Sequence, residues 1–215
     1  YDLSGHAGFS HIAGNAAEIA AQQLSSRRYY QRPDIDYVHF DPTRTTLSGY
    51  NASLDFTKNG GRHWLWEAGF NAESPGLELN DLGRLGGADD IDTWANLRYR
   101  ENNVGRHLRS YAVGLYANQG YNFGGERQYS EGDITFDTQL KNFTNVSLDL
   151  HPWISSENDN LTRGGPSMRT GGGLSESISI NTNGAANVQG GLNGSYSANT
   201  RAGWGWSVGG SLAIR

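Results

Sequence analysis

This 215-residue sequence contains residue types that could do chemistry, but their spacing does not gather them into a catalytic set. Histidines stand at His6, His11, His39, His63, His107 and His151 among many serines. No Gly-x-Ser-x-Gly turn appears, and no His lies at a diagnostic distance from a Ser and an acid, so the chain is read as a non-enzyme. His6 and His11 are five apart, which on a strand sends them to opposite faces. The run Asp89-Asp90-Ile91-Asp92 lacks the Asp-x-Asp-x-Asp-Gly spacing of a calcium loop, so neither a metal nor another cofactor is expected. Gly124-Gly125 and Gly171-Gly172-Gly173 read as turns, not phosphate cradles, because no helix follows either. The absence of Cys removes disulfides, thiolate catalysis and Cys-ligated metal sites, and fits passage through an oxidising compartment.

The polar residues instead collect by parity. Asn51, Asp55, His63, Glu67, Asn71, Asp92, Asn96, Arg98, Asp133, Asp137 and Gln139 all fall on one side of alternating segments. If those segments are strands of one barrel, these side chains line its lumen. Two outcomes follow: an acid-rich, water-filled path biased toward cations or neutral solutes such as sugars, or an interior that Arg98 and Arg100 block by pairing with carboxylates.

The elements that position this set are read from the alternation itself. Tyr50, Ala52, Leu54 and Phe56 share one parity, and Gly49, Asn51, Ser53 and Asp55 the other. After Lys58-Asn59-Gly60-Gly61, whose Asn-Gly pair suits a tight turn with positive φ, Trp64, Trp66, Ala68, Phe70 and Ala72 resume the apolar parity. Further alternating runs centre on residues 91–100, 111–118, 133–140, 145–151, 174–180, 188–197 and 204–214, and with the opening run of Tyr1, Leu3, Ala7 and Phe9 they make ten strands. Glu176 alone interrupts an apolar parity, which predicts a bulge or a place near a rim. Connections alternate long and short: 11–43, 74–90, 120–131 and 152–172 are the longer ones, against 58–61, 102–106, 141–144 and 182–184, and a brief 199–202 ends the series. A short helix is expected over Asn15–Leu24, capped by Asn15 with Glu18 three residues on. Trp64, Trp66, Trp204 and Trp206, with Tyr99, Tyr111, Tyr121 and Trp153, lie near strand ends, as in an aromatic girdle at membrane interfaces; the alternative is the core of a soluble barrel or sandwich.

Composition agrees with this reading. Glycine supplies 30 residues, and only 36% of the chain is hydrophobic, too little for an ordinary core. Seventeen Lys+Arg against twenty-two Asp+Glu give a net charge of -5 without a basic patch, so nucleic acid is not an expected partner. No run of about 18 apolar residues exists, which excludes a membrane-spanning helix. A membrane barrel averages to a polar hydropathy, as here at -0.63. Residues 1–215 are read as one β-barrel domain. A start at Tyr1, without an initiator Met or a signal segment, implies processing or a longer parent chain.

Four loop motifs carry a resemblance. Tyr30-Gln31-Arg32-Pro33-Asp34, Glu73-Ser74-Pro75-Gly76 through Asn80-Asp81-Leu82-Gly83, Ala88-Asp89-Asp90-Ile91-Asp92 and Leu161-Thr162-Arg163-Gly164-Gly165-Pro166 occur in the order found in a bacterial family, domain of unknown function 5916. The stretch from about residue 28 to 170 resembles the C-terminal region of that family. Its members look like a family-9-type carbohydrate-binding module joined to an outer-membrane barrel. The resemblance implies an outer-membrane location and a link to saccharides, and brings no catalytic residue. This chain lacks the N-terminal module, and it ends in Ile214-Arg215 where bacterial barrels carry a terminal aromatic, so further chain is expected.

The fold expected is therefore all-β: an antiparallel up-and-down transmembrane β-barrel with about ten strands in this chain, or those strands of a larger barrel, in the outer membrane of a Gram-negative bacterium. The leading function is a porin-like channel or transport component for small polar solutes, with Glu73, Asn80, Asp81, Arg84 and Arg163 in loops folded over the mouth. The second is a membrane anchor with a plugged lumen that displays a carbohydrate-binding or adhesive module. Expected partners are outer-membrane lipid, saccharides, and further strands or the N-terminal module of the same protein.

Overall fold

The computed structural model describes residues 1–79 and 85–214. Ten strands form one antiparallel sheet: β1 (Asp2–Ala13), β2 (Thr46–Lys58), β3 (Trp64–Glu73), β4 (Asp90–Glu101), β5 (Leu108–Tyr121), β6 (Arg127–Leu140), β7 (Asn145–Trp153), β10 (Gly173–Asn181), β11 (Val188–Asn199) and β12 (Gly203–Ile214). Their order in the sheet is their order in the chain, interrupted only by the two-residue strands β8 (Glu157–Asn158) and β9 (Met168–Arg169), which pair with each other in the β7–β10 connection. Helix α1 (Ala16–Gln23) follows β1. Its capping box is complete: Asn15 Oδ1 accepts from the Glu18 amide at 3.0 Å, and Glu18 Oε2 accepts from the Asn15 amide at 3.1 Å.

The sheet is open. Each strand pairs with its sequence neighbours in the sheet, and β1 and β12 are edges that do not pair with each other, so the expected closure into a barrel is not present in this structure. Alternation fixes which face a strand shows, but closure depends on a contact between the two ends of the chain, on which a period-two pattern is silent.

Two local expectations are corrected and a third is narrowed to one of its alternatives. The connection read over 120–131 is much shorter, because β5 and β6 run on to Tyr121 and from Arg127; Gly120 there is a strand residue beneath the Tyr129 ring of the neighbouring strand. Positive φ between β2 and β3 falls on Gly61 (140°), not on the Asn59-Gly60 pair. Glu176 sits in unbroken register opposite Leu150 and Tyr196, so no bulge accommodates it; it stands three residues inside the loop-side end of β10.

Among the described residues the apolar face of the sheet is not covered by another layer. Along β5, Val113 and Leu115 are 37% and 47% exposed, whereas Ala112 of the polar parity is 7% exposed. Leu54, Phe56, Phe70, Leu97, Ile134, Leu148, Ile178, Leu192 and Val208 are likewise exposed, as are Trp64, Trp204 and Trp206. Asn51, Asp55, Glu67, Asn71 and Asp92 are partly covered. The sheet thus leaves most of its large apolar side chains exposed, while the polar parity is covered toward the loop side and exposed at Asn96, Arg98 and Asn193. Among the described residues the buried apolar cluster is small: Ile19 of α1, Tyr30 and Leu47, with Ile12 and Val38 packed against it. Ile12 and Leu47 are cross-strand partners on the polar parity, so the first long loop folds over the polar face.

Candidate functional site: the sheltered polar face and its loop cap

The strand register brings the polar residues into rungs. Asn71 stands opposite Asp92, and Asp92 in turn opposite Gly120 and then Tyr129. Gly69, Trp94, Asn118, Glu131 and Trp153 form the next rung, and Glu67, Asn96, Tyr116 and Asp133 the one after it. Asp55 faces Gly69 from β2, where the Trp94 ring covers the glycine.

Cross-strand hydrogen bonds tie the rungs together. Asn51 and Ser53 bond the two ring nitrogens of His6, at 3.0 and 2.7 Å. Trp94 Nε1 donates to Glu67 at 3.4 Å, Tyr129 donates to Asp92, and His151 Nδ1 meets Asp133 at 2.7 Å. Nearer the short-turn edge, Ser147 donates to Asp137 at 2.9 Å, Arg98 lies 3.7 Å from the same carboxylate, and Gln139 bonds Arg109 and Asn145 at 3.1 Å each. Ten of the eleven residues read as lumen-lining thus share one face of the sheet. His63 precedes β3, stacks on Tyr99 and bonds the Arg100 carbonyl at 3.0 Å, at the short-turn corner.

The tryptophans divide by parity. Trp66 packs with Tyr1 and Phe56, and Trp64 with Tyr99, on the apolar side of the short-turn edge; Trp204 and Trp206 begin β12 at the other edge. Trp153 is a correction, because it shares the parity of Asp149 and His151 and lies on the polar side, its ring over Gly173. On the apolar side a hollow of about 620 Å³ is lined by Val113, Ile134, Leu148, Ile178 and Trp206.

Over the loop-side end of the polar face sits a cap that the sequence reading only partly anticipated. Arg28, with no exposed side-chain surface, donates to Glu78 at 2.8 Å and to the Leu77 carbonyl. The segment Gly76-Leu77 lies so close to Gly49 of β2 that a Cβ there would strike its backbone. Arg32 pairs with Asp159, lies 4.0 Å from Asp89 and donates to Tyr37 Oη at 3.2 Å. Asp89 accepts from Tyr37 and from the Phe123 amide at 2.9 Å. One buried guanidinium thus links the loops following β1, β3 and β7, and Asp89 adds the β5–β6 turn. Burial pushes the Asp89 carboxyl up to about 6 from its usual 3.8, and pushes the Tyr30 hydroxyl up to about 12. Of the residues read as mouth loops, Glu73 ends β3 and its carbonyl accepts the Asp89 amide, and Arg163 is exposed with φ 54°. Asn80, Asp81 and Arg84 lie outside the described residues.

Among the described residues no group of three or more His, Asp or Glu could hold a metal ion, and no helix is long and apolar enough to cross a membrane. A family model described as a domain of unknown function (DUF5916) matches residues 11–207, more of the chain than the loop motifs span. No curated protein and no solved structure matches the chain.

Proposed function

This chain belongs to the DUF5916 family, and on that premise we propose that it forms part of the wall of a bacterial outer-membrane β-barrel that passes small polar solutes. The observation that carries the reading is the row of exposed large apolar side chains along one face of the sheet. Each large apolar side chain on the open face gains about 1.5–3 kcal/mol on leaving water, a gain available in lipid but not in solution. Strands of nine to fourteen residues are long enough to cross a bilayer at a tilt. The long connections after β1, β3 and β7 share one edge of the sheet with the short β5–β6 and β11–β12 turns, while the opposite edge carries short turns, the sense of asymmetry of outer-membrane barrels. The open edges of β1 and β12 fit further strands of the same protein, since unpaired backbone groups are costly in hydrocarbon. The carboxylates on the sheltered face bias such a path toward cations or neutral solutes.

The expected result in planar bilayers is a conductance whose cation preference falls when Glu67→Gln and Asp137→Asn are combined. Absence of conductance from the complete protein overturns the channel reading. The cap favours a second reading, a plugged barrel that anchors a carbohydrate-binding or adhesive module, because the loops held by Arg28 and Arg32 fold across the polar face.

A further inference from the structure

Beneath the β7–β10 connection a cavity of about 410 Å³ opens on the polar side of the sheet, within the size range of small-molecule sites. Two of its walls are aromatic. Trp153 lies over Gly173 of β10 and Tyr129 over Gly120 of β5, and at either glycine a Cβ would collide with the ring. Glycine at both positions lets the rings lie along the sheet. The ring polar groups are already engaged, Trp153 Nε1 by the Gly171 carbonyl at 3.1 Å and the Tyr129 hydroxyl by Asp92.

Three of the remaining polar side chains are similarly occupied. Gln128 Oε1 accepts from the Asp159 amide at 3.0 Å, Ser156 Oγ accepts from Arg127 at 3.3 Å, and Thr170 Oγ1 donates to the Ser156 carbonyl at 2.9 Å. Glu131 is different. It is the cross-strand partner of Trp153, its side chain is 38% exposed, and its nearest partner is His151 Nε2 at 3.7 Å, beyond hydrogen-bond reach. A neutral polyol needs several free donors and acceptors around it. This cavity offers two aromatic walls and one carboxylate with open lone pairs, the combination that attracts a cation bearing an apolar body.

We infer that the Tyr129–Glu131–Trp153 cavity is a binding site for small organic cations of the ammonium class. The inference rests on the polar face being open to solutes, as in the function proposed above, and specifies which solutes pause there. The probe is choline chloride, with glucose as the neutral comparator, titrated calorimetrically into the detergent-solubilised protein at low and high salt. Choline is expected to bind and glucose not. Glu131→Gln should weaken choline at least tenfold, the scale of a charge-assisted contact. Trp153→Leu should weaken it roughly fivefold to thirtyfold, the scale of a desolvated cation–π contact. Glucose binding as tightly as choline overturns the inference, as does no choline binding by the wild-type protein, or an unchanged choline affinity in Glu131→Gln, a near-isosteric change on a partly exposed side chain. Choline binding without bilayer conductance refutes the channel and leaves the site standing; conductance without choline binding refutes the site alone.

Discussion

Replacing Arg32 with alanine is expected to unlatch the loop cap. The Arg32 side chain is 3% exposed and is the cation that faces both Asp159 and Asp89. Among the described residues its loss leaves two largely buried carboxylates without a counter-charge, a change that costs about 3–5 kcal/mol when a buried pair is broken. Because the partners lie on different loops, the loss appears as local opening and not as melting of the sheet. Backbone amide hydrogen exchange in the segments around Tyr37, Phe123 and Asp159 should accelerate by roughly a hundredfold to a thousandfold, while the amides of β4 and β5 keep their protection. Arg32→Lys should recover only part of it, since one ammonium cannot present the guanidinium fork to Asp159 and Tyr37 together. Unchanged exchange in Arg32→Ala would show that the loops hold their places without this residue.

The second large effect concerns the apolar face. Leu148 stands mid-strand on β7, between Phe136 and Ile178, and is 41% exposed. In a lipid-facing position Leu148→Arg should cost about 2–4 kcal/mol of folding free energy. The neighbouring Ser147→Arg, on the polar parity, should cost only about 1 kcal/mol, through loss of the bond to Asp137. Urea unfolding from vesicles of bacterial outer-membrane lipid reads the difference. In a protein whose apolar face is covered only by water, the two substitutions converge.

The elements legible in the sequence are those set by local rules. Parity from Tyr50 to Ala72 gave the faces of β2 and β3, and Asn15 with Glu18 gave the start of α1. What was not legible depends on partners far along the chain. Arg28 meets Glu78 fifty residues on, and the Ser167 amide bonds Asp34 from 133 residues away. The run Arg27–Pro33 is basic and aromatic, but nothing in its spacing indicates that two of its arginines turn inward. Gly120 misled for a different reason. Glycine beside Gln119 and Asn122 suggests a turn, whereas here it makes room for Tyr129 within a continuing ladder. The open edge between β1 and β12 follows the same logic, since alternation is satisfied whether or not the sheet closes.

The absence of native cysteine makes the central claim directly testable by single-cysteine labelling. Leu148→Cys and Ser147→Cys would each be reconstituted in lipid vesicles and exposed to a membrane-impermeant maleimide supplied on both sides. A lipid-facing apolar side and a solvent-filled polar side predict rapid labelling of Ser147→Cys and almost none of Leu148→Cys until detergent is added. Equal and rapid labelling of both in intact vesicles would contradict the account.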